Sequence, residues 1–157
     1  AMNPTARGDR AAGAKGDADA ASYLARVSGP VVDRIDMHVE VRAVPFNRLA
    51  AARGGEGSAE LRARVCAARA VQRARQGPRL NARLRGRGLD QHAHLCDEGR
   101  ALVGDAVERL GLSARAYDRI RRVARTIADL EEARDIAAHH VAEAVQYRVL
   151  DRHGAGV

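Results

Sequence analysis

The chain has 157 residues, a length that can bury one core but is too short for a large enzyme. Aromatic residues make up 3% of it and tryptophan is absent, so a core must be built from leucine, valine, isoleucine and alanine, which favours helices over a β-sandwich. The net charge of +7 arises entirely in residues 46–100, but the basic residues are nearly all arginine, a bias that a GC-rich genome explains as well as phosphate binding does.

Residues 1–53 combine a featureless segment with one predicted strand. Residues 5–21 are mostly Ala, Gly, Asp and Arg, without periodicity or a large apolar residue, so we expect a mobile loop. Short helical turns are predicted at residues 23–27 and 31–34. Residues 37–41 then alternate apolar and polar side chains, as a half-buried strand does. Because a lone strand is not stable, the rest of its sheet is expected upstream of this sequence.

The glycine-rich residues 54–57 predict a hinge, after which Ser58 is expected to cap a helix that runs to about Gln76. Its buried side is predicted to carry Leu61, Val65, Ala68 and Val71. Another side carries Arg62, Arg69 and Arg73, which form either a solvated face or a path for a phosphate backbone. No aromatic residues are interleaved, so base stacking is not indicated.

The second half of the chain predicts a small bundle of four helices with short connections. After a short turn over residues 81–84 and a helix near Leu89–Leu95, helices are expected over Asp97–Leu110 and from Ser113 to Leu130. A last helix is expected from about Ala137 to Leu150. The two histidine pairs, His92 with His94 and His139 with His140, are interpreted as surface or structural residues.

Residues 112–130 carry the strongest pattern in the chain. Ser113 is a good N-cap, and apolar residues recur at three- and four-residue steps, at Ala116, Ile120, Val123, Ile127 and Leu130, so one face must be buried. Arg115 lies in the first turn, where the helix dipole disfavours a cation unless an anion is bound. It is therefore either a phosphate ligand or the partner of a nearby carboxylate such as Asp118.

No complete active site is present. The chain has no GxxxxGK[ST] loop, no GxSxG and no HExxH, and Cys66 and Cys96 lack CxxC spacing, so we expect reduced thiols and no metal site. There is no long apolar run and no signal sequence, so we expect a cytoplasmic protein that does not enter membranes. Three residues, Asn3, Arg34 and Arg115, resemble parts of a phosphate site whose remainder is missing.

Four segments resemble, in order, the C-terminal half of the magnesium-chelatase-like AAA+ ATPases of the ComM/YifB group: AMNP, SGPVVDRIDMHVEV, LSARAYDRIRRVARTIADL and HHVAEAVQYR. The resemblance implies that Asn3 is the sensor 1 residue, which positions the attacking water. It implies that Arg34, oriented by Asp33, is the arginine finger for the ATP of a neighbouring subunit. Arg115 would be sensor 2, above its own subunit's nucleotide. A hexameric ring that uses ATP and Mg is implied for the full-length protein.

The sequence departs from the family pattern in two respects. Residues 5–21 lack the cysteines that family members carry after NP, so no metal or redox property is expected there. The Walker A and Walker B motifs would precede residue 1, so this chain is expected to be monomeric, to bind nucleotide weakly and not to hydrolyse ATP alone. The predicted fold is mainly α: residues 1–53 are the remnant of an α/β core, 54–57 a hinge, 58–151 a helical lid domain and 152–157 a tail.

Three functions remain open from the sequence. The first is the sensor and lid part of a ComM-like motor that acts on DNA. The second is the ATPase subunit of a magnesium chelatase, which drives insertion of Mg²⁺ into a porphyrin. The third is a stand-alone basic DNA-binding module based on the arginine-rich residues 62–87, although no helix-turn-helix signature or dimer seam is present.

Overall fold

The computed structural model describes residues 22, 26, 29–32, 34–39, 41, 44–50 and 55–148. Within these residues the protein is mainly α-helical, as the sequence predicted. Several predictions concern positions outside the described residues: Asn3, Asp33, the mobile loop over 5–21, most of the turn over 23–27, hinge residue 54, Leu150 and the tail over 152–157. The domain boundaries likewise stay predictions.

The first described helical residue is Ser22. Two short helices follow, α1 over Gly29–Val32 and α2 over Phe46–Ala50, and the sequence patterns had not indicated the second. The helical domain then contains α3 (Ser58–Gln76), a 3₁₀ turn (Asn81–Arg83), α4 (Arg87–His92), α5 (Asp97–Leu110), α6 (Ala114–Leu130) and α7 (Ala138–Gln146). Among the described ranges, no helix combines the length and apolar character needed to cross a bilayer.

The strand predicted over residues 37–41 is not formed in the described part of that segment. Met37, His38, Val39 and Val41 belong to no strand, and the two valines are exposed. The physical reason is the absence of a pairing partner among the described residues, because a β-strand is held by hydrogen bonds to its neighbours.

The boundaries of α5 and α6 follow from their caps. Gly111 adopts the left-handed conformation, with φ of 61°, and its amide donates to Val107 O, which ends α5. Ser113 then begins α6, because its hydroxyl accepts a hydrogen bond from the Ala116 amide at 3.2 Å. The junction between these helices is therefore encoded locally, as the sequence predicted.

Helix α6 is the centre of the domain and is buried on two sides. Its apolar stripe lies in the core as predicted, except that Leu130 is 37% exposed. The opposite side is also covered, because Arg121, Arg125 and Asp129 are buried there. That polar side packs on α3, the 3₁₀ turn and α4, while α7 and α5 cover the apolar side. Other core residues around α6 are Leu84, Leu89, Leu95, Val103, Ile136 and Val141.

The prediction for the buried side of α3 was wrong at three of four positions. Only Ala68 is buried, whereas Leu61, Val65 and Val71 are exposed. Residues 58–67 at the start of α3 are exposed throughout, so only the second half of the helix packs against α6. The cap also lies one residue earlier than expected, at Gly57, whose amide donates to Glu60 Oε2 at 3.0 Å.

Close packing between α5 and α7 depends on one glycine. Gly99 is buried in the first turn of α5, and a β-carbon at this position would lie 3.2 Å from Cγ2 of Val141. The same turn is capped by Cys96, whose Sγ accepts a hydrogen bond from the Gly99 amide at 3.4 Å. Helix α7 ends at Gln146, earlier than the predicted Leu150, because residues 147–148 form a turn.

Candidate functional site

Arg115 is exposed at the second position of α6, where the sequence placed it. The Ser113 cap fixes the start of the helix and thus the direction in which its first amides point. A guanidinium beside the positive end of a helix dipole is a suitable environment for an anion such as phosphate. The local structure that the sequence predicted around Arg115 is therefore formed.

Arg34 is exposed in the turn that follows α1. Its amide donates to Val31 O and the Ile35 amide donates to Val32 O, each at 3.0 Å, so the chain keeps turning for one step beyond the helix. Neither Asn3 nor Asp33 lies in the described residues, so the predicted orientation of Arg34 by Asp33 stays a prediction.

Residues 34–38, which carry Arg34, dock on the helical domain through contacts that include an ion pair and two hydrogen bonds. Asp36 Oδ1 forms an ion pair with Arg119 Nε at 2.8 Å. Arg148 Nη1 donates to Ile35 O, and the His38 amide donates to Tyr147 O at 2.7 Å. Arg119 and Arg148 are 9% and 1% exposed, so both guanidinium groups are held largely out of water.

This docking relates the two arginines that the sequence had singled out. Arg119 follows Arg115 by four residues on α6, so the two side chains are neighbours on the helix surface. Asp36 is two residues beyond Arg34. The segment of Arg34 therefore approaches the same end of α6 that carries Arg115, which patterns along the chain could not reveal.

The buried polar side of α6 contains a network centred on Asp129. Arg75 donates to both of its carboxylate oxygens, at 2.6 and 2.9 Å, and Asn81 Nδ2 donates to Oδ2 at 2.8 Å. Arg125 Nε lies 3.1 Å from Oδ1, at ion-pair distance. Burial opposes ionisation of Asp129, but these hydrogen bonds and the charges of the two arginines outweigh it, so its pKa lies below the usual value.

Arg125 extends the network to the loop before α7. Its Nη1 donates to Arg134 O at 2.9 Å and its Nη2 donates to Ala133 O at 2.7 Å. Burial lowers its pKa from the ordinary value, against the opposing effect of Asp129. The network thus joins α3, the 3₁₀ turn, α6 and the α6–α7 loop, and its role is to hold these elements together.

Sequence reasoning missed this network because its partners are far apart in the chain. Arg75 and Asp129 are separated by 54 residues, and both lie on helix sides that the apolar pattern assigns to solvent. One available signal was the (i, i+4) spacing of Arg125 and Asp129 within an otherwise well-formed helix.

Glu131, His139 and His140 bring three side chains with ligand-type atoms together, all within 4.8 Å of one another. Both histidine Nε2 atoms lie 3.0 Å from Glu131 Oε2, and these contacts lower the pKa of the exposed Glu131 carboxyl. The buried His140 accepts the Ala137 amide on Nδ1 at 2.8 Å. In the neutral ring its Nε2 then carries the proton and has no lone pair for a metal ion. The cluster is best explained as a cap that joins α6 to α7.

The arginine side of α3 consists of Arg62, Arg69 and Arg73, of which only Arg69 forms a side-chain hydrogen bond within the described residues. Arg62 and Arg73 are exposed and contact no carboxylate within the described part of the chain. Arg69 is half-buried and its guanidinium donates to Gln72. Four arginines that follow α3 are also exposed and contact no carboxylate among the described residues: Arg79, Arg83, Arg85 and Arg87. Cys66, also on α3, and Cys96 are both free thiols.

Comparisons with known proteins match the chain in two parts. Residues 55–148 match the family model of the C-terminal domain of magnesium chelatase subunit ChlI, and residues 1–49 match the model of magnesium chelatase subunit ChlI. The chain is 44% identical over 131 residues to the uncharacterized protein YifB of Salmonella typhimurium and 40% identical over 131 residues to the competence protein ComM of Haemophilus influenzae. Each alignment covers 83% of this chain and 26% of the relative, so the chain spans about a quarter of these proteins.

Proposed function

Because the chain belongs to the magnesium chelatase subunit ChlI family, as a member of the ComM and YifB type, we propose that it is the sensor and lid part of an AAA+ ATPase that remodels DNA. In this proposal the full-length protein is a cytoplasmic hexameric ring that binds ATP and Mg, and this chain reports the nucleotide state to the rest of the ring. The observation that carries the proposal is the docking of the Arg34 segment on α6, the helix whose first turn carries Arg115.

The residues present fit a nucleotide phosphate in part. Arg34 and Arg115 are exposed cations on fixed backbone, and Arg115 lies where a helix dipole also favours an anion. Arg34 would stabilise charge on the transferred phosphoryl group of a neighbour's ATP, with Asp33 orienting it and Asn3 positioning the water. Arg115 would contact the nucleotide of its own subunit. Binding of the remaining phosphates and of Mg falls to a Walker motif that this sequence does not contain.

The ATPase of the full-length protein tests these roles. Arg34→Ala should leave nucleotide affinity nearly unchanged and lower the hydrolysis rate by roughly three or more orders of magnitude, the range for arginine fingers. Adding subunits that keep Arg34 but have an inactivated ATP site should restore activity, because the finger acts on a neighbour. Arg109→Ala is the matched control, since Arg109 is exposed on α5 and contacts no carboxylate within the described residues.

Arg115→Ala should respond differently in the same mixing experiment. If Arg115 contacts the nucleotide of its own subunit, subunits that lack a working ATP site cannot replace it. Equal rescue of both variants would instead assign the two arginines to one shared nucleotide and overturn this division of roles. An unchanged ATPase rate in both variants would overturn the proposed sites altogether.

We also propose that DNA contacts the arginine side of α3, which consists of Arg62, Arg69 and Arg73. Of these, Arg62 and Arg73 are the exposed side chains. Cations without a carboxylate partner can neutralise backbone phosphates, which produces binding that is independent of sequence and steeply dependent on salt. The chelatase function is the second candidate, because the matching family models bear that name. Stimulation of the ATPase by DNA supports the first function, and stimulation only by porphyrin-binding partner subunits supports the second.

A further inference from the structure

We propose that the contacts of residues 34–38 with Arg119, Tyr147 and Arg148 form a clamp that makes the Arg34 segment move with helix α6. This inference rests on the proposed function, because it assigns a consequence to the arginine finger. It adds Asp36 and Arg119 as positioning residues, which act on the reaction only through Arg34.

The clamp pairs an exposed segment with two buried arginines of the helical domain. The Asp36 carboxylate is half exposed, but the side chain of its partner Arg119 is only 11% exposed. The helical domain therefore holds the arginine of this ion pair in place. Arg148 is 1% exposed and directs its guanidinium at a backbone carbonyl, Ile35 O. A buried arginine used in this way restrains the backbone, because the carbonyl cannot move without breaking a charge-assisted hydrogen bond.

Three of the four residues 35–38 contact the helical domain, each through a different group. Ile35 is held through its carbonyl, Asp36 through its side chain and His38 through its amide, which donates to Tyr147 O. His38 itself is 7% exposed, so the end of the segment is covered as well. With contacts at three positions out of four, the segment has little freedom to rotate against the helical domain.

The clamp connects to the nucleotide site through one helical turn. Arg115 and Arg119 are neighbours on α6, so a displacement of α6 caused by nucleotide at Arg115 would reach Asp36 directly. Arg34 lies in the turn after α1, two residues before Asp36. The nucleotide state sensed by Arg115 would thereby set the position of the arginine presented to the next ATP site, which makes hydrolysis at adjacent sites interdependent.

Charge reversal of the ion pair in the full-length protein tests the clamp. Asp36→Arg and Arg119→Asp should each lower kcat on the order of 10- to 100-fold, as expected for a catalytic group displaced by about 1 Å. Affinity for a non-hydrolysable ATP analogue should not change. The double variant Asp36→Arg with Arg119→Asp should recover most of the lost kcat, because the ion pair is restored in reverse. Arg64→Asp is the control, since it breaks the exposed ion pair of Arg64 with Glu56 and should leave kcat unchanged.

Amide hydrogen exchange supplies a readout that does not depend on catalysis. The His38 amide, which donates to Tyr147 O, should be protected in the parent protein, exposed to exchange in Arg119→Asp and protected again in the double variant. Amides of α6 should keep their protection, which shows that the domain remains folded. If Arg34→Ala lowers kcat but both charge reversals behave like Arg64→Asp, the clamp is wrong and the proposed function stands. If Arg34→Ala leaves kcat unchanged, the proposed function is wrong, and the catalytic role of the clamp with it.

Discussion

Replacement of Asp129 by alanine should be among the most damaging single changes in the helical domain. The carboxylate is 1% exposed, accepts hydrogen bonds from Arg75 and Asn81 and lies at ion-pair distance from Arg125. Its removal leaves two arginines facing each other without their common counterion. Removing one partner of a buried ion pair costs about 3–5 kcal/mol, because the remaining charge stays desolvated. Small domains have a free energy of unfolding of roughly 5–15 kcal/mol, so this loss is a large fraction of it.

Urea unfolding of the chain, followed by far-UV circular dichroism, measures the loss. We expect the midpoint of Asp129→Ala to fall strongly or the domain to be unfolded without denaturant. Asp105→Ala is the control, because Asp105 is exposed on α5 and should change the free energy of unfolding by less than about 0.5 kcal/mol. A cost below about 1 kcal/mol for Asp129→Ala would show that the network does not hold the domain together.

The other predictions concern a cap, acid stability and DNA. Ser113→Ala should lower the free energy of unfolding by about 1 kcal/mol, since the Ala116 amide loses its acceptor, and an unchanged urea midpoint would contradict this. The pKa of Asp129 is lowered in the folded state, so its ionised carboxylate should stabilise the fold fully at pH values above the unfolded-state pKa of about 3.9. This stabilisation should be lost as the pH falls through the folded-state pKa. In acid unfolding experiments, Asp129→Asn should lack this pH-dependent loss of stability. Arg62→Ala and Arg73→Ala should each reduce the salt dependence of DNA affinity by roughly one unit of slope in a log–log plot, and DNA binding indifferent to salt would exclude the surface.

The parts of the fold that the sequence predicted are those determined by neighbouring residues. Gly111 and Ser113 mark the end of α5 and the start of α6 through hydrogen bonds that span three or four residues, so their chemistry is visible in the sequence. The apolar stripe of α6 was also predictable, because core burial follows the helical period. The strand over residues 37–41 was predicted from alternation alone, and alternation does not supply the partner that a strand requires.

The parts that the sequence did not predict depend on contacts between distant residues. A helical pattern assigns Arg75 and Asp129 to solvent-facing sides, and only the fold brings these charges together across 54 residues. The predicted burial of Leu61 and Val65 was wrong for the converse reason. Periodicity identifies the apolar side of a helix, but it does not show whether another element covers that side. The roles proposed for Arg34 and Arg115 are based on the family resemblance, whereas their connection through Asp36 and Arg119 became visible only in the structure.

Three of the four stretches on which the family resemblance is based contact one another in the fold. The GPVVDRID stretch supplies Asp36, the stretch beginning LSARAYDRI supplies Arg119, and the QYR ending supplies Tyr147 and Arg148. In the proposed function, a lid that only covered a nucleotide would need Arg115 and a packed core, but it would not need two buried arginines directed at another segment. Placing the guanidinium groups of Arg119 and Arg148 out of water carries a desolvation cost that these contacts must offset. Such an arrangement is expected where the position of one segment relative to another must be fixed, which is what the proposed arginine finger requires in order to respond to the proposed lid.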